Sequence, residues 1–279
     1  MEVGLLENEL AAWDSYVLNH PGACNYHQSR WKSVIEQGFG HPSRYLHVTN
    51  AGRIVGILPL VLMKSLLFGR FLVSLPFFNY GGILADGQDA EEALLASAKE
   101  IARQERAHHI ELRHRTSHEL GLQSKQHKVS LTLDLESSVD SQWNGLNAKV
   151  RNQLRKAEKA GLCVQRGRSE LLDDFYTVFA RNMRDLGTPV YGMPFFQAIL
   201  TNFPSSTRIF VVRLQDQPVA AGLVSTFKET VEMPWAASLL EHRNLCSNML
   251  LYWEAIKFAI DQGFRRFDFG RSTPGEGTY

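Results

Sequence analysis

One arrangement of apolar runs and turns occurs in both halves of the chain, and it constrains the fold more than any other feature. The segments YLHVTNAGRIVGILPL (45–60) and IFVVRLQDQPVAAGLV (209–224) each have two strand-like runs around a short turn. In both halves a further strand signal follows, then a helix with paired leucines, then a strand with a central acid, Glu111 or Asp268. The repetition predicts two similar α+β domains, although ordinary hairpins also resemble one another by chance.

Hydrophobic periodicity and turn residues predict the elements along the chain. The predicted helices cover 5–18, 91–106, 170–186, 194–202 and 249–262. The predicted strands cover 44–49, 53–63, 71–75, 109–113, 129–135, 208–215, 219–227, 231–238 and 266–270. We expect the domains to be 1–136 and 137–279.

The basic segment KVRNQLRKAEKAG (149–161) is predicted to end an amphipathic helix that begins at Asp140 or Ser141 and stops at Gly161. At helical pitch one stripe is apolar: Trp143, Leu146, Val150, Leu154 and Ala157. The opposite side carries Arg151, Arg155 and Lys159, flanked by Lys149 and Lys156. Only one acidic residue, Glu158, lies among these five cations in the sequence. The face therefore suits phosphates of a precursor or an RNA backbone, with an ordinary solvated surface as the alternative.

Composition narrows the class of protein. The net charge of +1 argues against a general nucleic-acid binder, and we expect no DNA partner. Three scattered cysteines indicate neither a disulfide framework nor a zinc site. The acidic N-terminus lacks the features of a secretory signal, and prolines and charges interrupt the most apolar region, 54–78. We therefore expect a cytoplasmic protein with no membrane span.

Three segments carry a family resemblance: KVRNQLRKAEKAGL, RNMRDLGTPVYGMPFFQAIL and SNMLLYWEAIKFAIDQGFRRFDFGRSTPGEGTY. They resemble the FemAB-related acyl and aminoacyl transferases, especially members that accompany exopolysaccharide and exosortase loci. The resemblance implies two tandem GNAT-like domains, each a mixed, mainly antiparallel sheet flanked by helices. It also implies an N-acyltransferase of the cell envelope that acts on a phosphate-bearing glycan or peptidoglycan-type precursor. No permanently bound cofactor is implied, and the acyl donor would be aminoacyl-tRNA or acyl-CoA.

The chain departs from the family pattern in two places. Where a GNAT domain has a glycine-bearing, phosphate-binding turn, this chain has RNLCSN (243–248), and we expect Ser247 or Asn248 simply to cap the following helix. Family members continue beyond the final GTY, so we expect the second domain to be truncated at its C-terminal end and the edge of its sheet to be open.

Acyl transfer to an amine needs positioning and polarisation of the carbonyl more than a nucleophilic side chain. Asp268, with Arg271 beside it, is the catalytic candidate as a base or orienting group. The alternative is a structural carboxylate paired with Arg266 or Arg271.

The substrate-binding candidates follow from the resemblance and from local chemistry. Arg151 and Arg155 would bind acceptor phosphates, and Lys149 and Lys156 would add positive potential. Asn79 and Tyr80 precede a glycine pair, and they would either line the substrate cleft or form a plain turn. Arg181 and Tyr191 would form a pocket wall, and the alternative for Tyr191 is ordinary packing. Trp235 is expected in the core. The histidines His108, His109, His114, His118 and His127 have no metal-site spacing, so no metal is expected.

Two other functions fit the same residues. One is an acetyl-CoA-dependent GNAT enzyme acting on a sugar amine. The other is a non-catalytic RNA- or polysaccharide-binding protein on the same fold.

Overall fold

The computed structural model describes residues 1–65, 67, 69–125 and 128–275, which form two compact units, Met1–Gln126 and His127–Tyr279. The elements of the first unit are β1 (Glu2–Leu5), α1 (Leu10–Asn19), α2 (Trp31–Phe39), β2 (Ser43–Asn50), β3 (Arg53–Ser65), β4 (Gly69–Ser74), β5 (Leu84–Ala85), α3 (Gln88–Gln104) and β6 (Ile110–Glu111). Its sheet has the order β1-β2-β3-β4-β6, and the short β5 pairs with β3.

The second unit repeats this plan. Its elements are β7 (Val129–Asp134), α4 (Val139–Gly145), α5 (Ala148–Lys159), β8 (Leu162–Gly167), α6 (Leu172–Asp185), α7 (Met193–Asn202), β9 (Thr207–Leu214), β10 (Gln217–Phe227), β11 (Thr230–Ser238), α8 (Ser247–Asp261) and β12 (Arg266–Ser272). Its sheet has the order β7-β12-β11-β10-β9-β8.

Five strands of one sheet correspond to five of the other, in the orders β1-β2-β3-β4-β6 and β8-β9-β10-β11-β12. In the first unit β1 is followed by two helices, an antiparallel run of three strands, helix α3 and a strand parallel to β4. In the second unit β8 is followed by α6, α7, the run β9-β10-β11, helix α8 and β12 parallel to β11. The predicted fold of two similar mixed sheets flanked by helices is confirmed.

Strand β7 corrects the predicted domain limits. It pairs antiparallel with β12, so it belongs to the second sheet, whereas a division at 136/137 assigns it to the first domain. The alternating pattern of 129–135 identified the strand but contained nothing about which sheet it joins. Because β7 lies along β12, β12 is paired on both sides, and β7 forms this edge of the second sheet.

The predicted single helix before Gly161 is also wrong, because the structure has two. Helix α4 begins after Ser138, whose side chain accepts from the Ser141 amide, and ends at Gly145. Helix α5 begins after Asn147, whose side chain accepts from the Val150 amide at 2.9 Å. Asparagine is among the best N-cap residues, so Asn147 starts a new helix where the apolar stripe alone suggested continuity.

Each face of the second sheet has its own core. On one face α5 and α8 bury Leu154, Ala157 and Leu251 against Val231 and Phe267. On the other face α6 and α7 supply a cluster of aromatic rings, among them Phe175, Phe195 and Phe196. Among the described residues, no helix is long and apolar enough to cross a bilayer.

Candidate functional site

The parallel strands β11 and β12 form a fork in the second sheet. They pair at three successive positions, the last of which joins Glu232 to Asp268. Both strands continue beyond this pair, β11 to Ser238 and β12 to Ser272, with no further pairing between them. A fork between parallel strands exposes backbone amides and carbonyls along the inner edges, and such groups can bind a substrate.

Irregular backbone on both strands produces the fork. In β11 the register against β10 shifts by one residue between Glu232 and Trp235, a bulge that contains Pro234, which has no amide hydrogen. In β12 the register against β7 shifts between Asp268 and Arg271, and Gly270 takes a φ of 82°. The Asp268 carboxylate stabilises this bulge because its Oδ1 accepts from the Gly270 amide at 2.7 Å.

The two carboxylates at the fork lie on the same face of the sheet. Val231 and Phe267, their neighbours in sequence, pack into the core beneath α8, so Glu232 and Asp268 point to the opposite face. Their side chains are nearly buried, with 5% of Glu232 and 2% of Asp268 exposed. Of the two arginines considered as structural partners of Asp268, Arg266 has its Nε 3.3 Å from Asp134 Oδ1. Arg271 is exposed on β12 and lies opposite Ser130 of β7.

Aromatic side chains cover the same face beyond the fork. Trp235 is 6% exposed, as expected for a core residue, and its ring lies 5.4 Å from those of Phe195 and Phe196 in α7. The Tyr191 ring packs edge-on against Phe195 at 5.7 Å. These contacts support the packing alternative for Tyr191.

Arg181 on α6 reaches a different element. Its Nη2 lies 2.7 Å from Glu241 Oε1, in the 3₁₀ segment Leu240–Leu245 that leads into α8. This ion pair is half exposed, and it joins α6 to the segment between the fork and α8.

The basic helix lies on the other side of the sheet. Leu154 and Ala157 of α5 pack into the core shared with α8, while Lys149, Arg155 and Lys156 are exposed. Because Asp268 points to the α6 face, the structure does not bring the helix cations and the catalytic candidate to one face of this sheet.

Two of the helix cations have local contacts that the sequence did not predict. Arg151 is partly buried, and its Nη1 donates to the carbonyls of Leu146 at 2.6 Å and Asn144 at 3.2 Å, where α4 ends. The Arg155 guanidinium lies 5.7 Å from the centre of the Trp143 ring. The placement of Trp143 opposite Arg155 was wrong, because the break at Asn147 turns α4 relative to α5.

Asn79 and Tyr80 belong to the first unit. Tyr80 is 2% exposed and packs near Tyr26, with the Arg115 guanidinium 4.9 Å from its ring centre. Asn79 is half-buried in the bend before it. Tyr80 is therefore a packed core ring of the first unit, which supports the plain-turn alternative for this segment.

The turn before α8 has an unusual backbone. Cys246 precedes the helix with a φ of 60°, a left-handed conformation that favours glycine, and no side chain caps the helix start. The expected capping by Ser247 or Asn248 is wrong, since Ser247 is already the first helical residue and its Oγ is buried. The turn thus has a glycine-like conformation without a glycine.

The histidines of the first unit form hydrogen bonds and ring contacts. His114 Nε2 accepts from the Ile83 amide at 2.9 Å, and its ring stacks 3.9 Å from that of His118. Burial, with smaller contributions from His118 and His27, lowers the pKa of His114 to about 3. Across the described part of the chain no three potential metal ligands lie together, and His127 falls outside that part.

Glu232 is the site residue that sequence reasoning missed. It occurs in VEMPW, where a lone glutamate stands among apolar residues of a predicted strand. Because Asp and Glu are almost never fully buried without a partner, a charged residue in such a run is a signal that we did not use.

The comparisons with known proteins agree with this geometry. The family model "Acetyltransferase (GNAT) domain" matches residues 146–279. A lipid II:glycine glycyltransferase of Staphylococcus epidermidis is 25% identical in an alignment 263 residues long, which covers 84% of this chain and 59% of that protein. The chain thus spans less than two thirds of the length of the curated relatives that it matches.

Solved structures support the tandem arrangement. The crystal structure of FemX aligns with a TM-score of 0.72 and 17% identity over 99% of this chain and 90% of FemX. A tandem GNAT protein from the clavulanic acid biosynthesis pathway aligns with a TM-score of 0.61 and 14% identity over 99% and 91% of the two chains. The repeated fold, the forked second sheet and these likenesses together support a relationship of this chain to the FemAB-related, tandem GNAT-like proteins.

Proposed function

We propose that this protein is an N-acyltransferase that transfers an aminoacyl group to an amine of a phosphate-bearing, peptidoglycan-type precursor in the cytoplasm. The similarity to a lipid II:glycine glycyltransferase supports the acceptor class and an aminoacyl group as the one transferred. Aminoacyl-tRNA is one of the two donors that the family resemblance implies, and we propose it here. An exopolysaccharide precursor has the same chemistry, a phosphate next to a glycan and an amine.

The observation that carries the proposal is the buried carboxylate pair at the fork. Glu232 and Asp268 face the same side of the sheet where β11 and β12 separate. A protonated amine must lose a proton before it attacks a carbonyl, and a nearby carboxylate can accept that proton. We assign this role to Glu232. Asp268 holds the bulge of β12 through Gly270, which makes it a positioning residue.

The reaction balances without a nucleophilic side chain. The neutral amine attacks the carbonyl carbon of the aminoacyl ester, and the carbonyl oxygen becomes negatively charged. Backbone amides at the fork edge would stabilise that oxygen. The C–N bond forms, the C–O bond to the ribose breaks, and the proton removed from the amine passes to the departing oxygen.

The exposed cations of α5 and the ion pair of Arg181 are proposed to bind phosphate. Lys149, Arg155 and Lys156 present charge to solvent and suit a polyanion such as tRNA or a diphosphate. Arg151 contributes less, because its guanidinium already donates to two carbonyls.

The experiment that tests the proposal compares donors in parallel. The full chain is incubated with charged tRNA or with acetyl-CoA, together with nucleotide-linked muramyl peptides or amino sugars, and the products are followed by mass. We expect an acceptor that gains one aminoacyl group from tRNA. Glu232→Gln is expected to lower the rate at least about 100-fold, the usual size of a general-base contribution. If the chain binds the acceptor but forms no product with either donor, the result would contradict the proposal and favour a non-catalytic role.

The second candidate, an acetyl-CoA-dependent enzyme acting on a sugar amine, is favoured by the start of α8. The left-handed Cys246 leaves the first turn of a 15-residue helix without a side-chain cap, and amides at a helix start bind phosphates. Acetyl transfer from acetyl-CoA in the same assay, with no product from charged tRNA, would select this candidate.

A further inference from the structure

The hairpin that joins β3 to β4 presents an apolar tip to solvent. Leu67 at the tip is 88% exposed, more than any other large apolar residue that the structure describes. In the sequence Leu67 stands between Leu66 and Phe68, which lie outside the described residues. Leu67 thus belongs to an apolar tripeptide of the sequence, LLF (66–68), and a leucine this exposed suits contact with another apolar phase.

Two cations face each other at the base of this tip. Lys64 and Arg70 are direct partners in the antiparallel pairing of β3 with β4, and both are exposed. Like charges directly opposite each other destabilise a sheet, so this pair weakens the hairpin in the absence of a neighbouring anion.

Glu105, at the end of α3, compensates only part of this charge. Its carboxylate lies 2.6 Å from Arg44 and 4.0 Å from Lys64, while Arg70 donates to its backbone carbonyl at 3.3 Å. Arg44 and Lys64 therefore share one carboxylate, Arg70 contacts only the backbone of the same residue, and the exposed Arg106 follows it in the chain. The surface beside the tip is positively charged.

The hairpin is fixed at its base, as a docking element requires. Gly69 has a φ of 80°, and a Cβ at this position would overlap the His108 ring, which packs over it. The His108 amide also donates to the Arg70 carbonyl at 2.8 Å. Leu67 is thus presented by anchored strands.

We propose that this hairpin docks the protein on a bilayer that contains anionic lipids. Leu67 enters the interfacial region, while Lys64 and Arg70 lie against the lipid phosphates. The biological purpose rests on the proposed function, since a lipid-linked precursor is presented at a membrane surface. Leu18 lacks this charge, since it is 60% exposed on α1, whose last turn has no basic residue.

Co-sedimentation of the full chain with vesicles tests the inference. We expect binding to vesicles of phosphatidylcholine mixed with phosphatidylglycerol, and little to phosphatidylcholine alone. Leu67→Asp should lower the partition coefficient about tenfold, since it removes an apolar side chain and adds repulsion from the lipids. The double variant Lys64→Ser, Arg70→Ser should lower the partition coefficient about tenfold or more, because each cation near the surface contributes roughly a few-fold.

The matched control is Leu18→Asp, which changes an exposed leucine away from the cations and should leave vesicle binding unchanged. Salt near 1 M, where the screening length is about 3 Å, should reduce binding by the parent chain. Thermal unfolding of each variant shows whether the fold is intact.

Transfer to a soluble acceptor separates this inference from the proposed function. Leu67→Asp should leave that rate unchanged. A chain that binds vesicles through Leu67 but transfers no acyl group would contradict the proposed function and leave docking in place. A chain that transfers acyl groups but binds anionic and neutral vesicles equally, or binds neither, would overturn docking. A dimer that Leu67→Asp dissociates would likewise overturn docking, since the tip would then bind a second copy.

Discussion

The two halves use the same strand order, yet they differ at the point where their last two parallel strands separate. In the first half the final pair joins Val73 of β4 to Glu111 of β6, and Glu111 is exposed with its Oε1 2.7 Å from Arg113. In the second half the corresponding pair is Glu232 and Asp268, both nearly buried. Burying a carboxylate is costly, and the first half forms the same strand pairing with an apolar residue and a surface ion pair. This difference supports our placing the proposed site in the second half.

The largest expected effect comes from a comparison of Asp268 in β12 with Glu111, the acid of the corresponding strand β6. Asp268→Asn should lower the transfer rate about 100-fold or more, because the carboxylate positions the fork and the proton acceptor. Glu111→Gln should change the rate less than about twofold, since an exposed ion pair contributes little. Single-turnover rates with circular dichroism as a folding control measure both. Equal losses in the two variants would remove the functional asymmetry between the halves.

A second difference concerns acid stability, because eight of the ten histidines lie in the first half. The folded His114 has a pKa of about 3, below the unfolded value near 6.5. Below pH 6.5 the unfolded chain binds a proton that the folded chain does not, so the free energy of unfolding is highest above pH 6.5 and decreases as the pH falls. At pH 5 the loss is about 2 kcal/mol. Urea unfolding followed by amide exchange should show the first half weakening between pH 7.5 and pH 5.

The matched variant for this prediction is His114→Gln, which keeps an acceptor for the Ile83 amide and does not titrate. It should remove most of the pH dependence in the first half. A second half that weakens equally in the parent chain would contradict the assignment to His114.

The next effect distinguishes a structural cation on α5 from an exposed one. Arg151→Ala should lower stability by about 1–2 kcal/mol, because two carbonyls at the end of α4 lose their donor. Lys156→Ala should change stability by less than about 0.5 kcal/mol and instead weaken acceptor binding. Thermal unfolding and acceptor titration together separate the two roles; a stable Arg151→Ala variant that binds no acceptor would restore Arg151 to the phosphate site.

The smallest effect compares the residues that precede the two corresponding helices. Helix α3 begins after Gly87, whereas α8 begins after the left-handed Cys246. Cys246→Gly should stabilise the second half by about 0.5–1 kcal/mol, because glycine adopts this φ without strain. A lower melting temperature would show that the cysteine side chain contributes packing that outweighs the strain.

Local sequence patterns predicted most of the fold. The paired hairpins, the leucine-rich helices and the closing strands all appear in the structure because periodicity and turn residues act locally. Four of the elements given above were missed: the edge strand β1, helix α2, the short strand β5 and strand β8. Their short or mixed patterns gain stability mainly from neighbours that are distant in the sequence.

The candidate site was less predictable, since its geometry depends on strand pairing. Asp268 was recognised, but its partner Glu232 becomes adjacent only through the register of β11 with β12. The basic helix was recognised as well, but its start at Asn147 and the face of the sheet on which it packs were not. No local pattern specifies which face a helix covers.

Strand β7 has a practical consequence for anyone who wishes to excise the GNAT half. The family match begins at residue 146, after β7 and α4, so a fragment cut at that residue would lose the partner of β12. It would also lose Leu133, Leu135 and Trp143, which pack against the core beneath α8. Such a fragment would present a bare strand edge beside an uncovered apolar surface and would tend to aggregate. A soluble fragment should therefore begin before Val129.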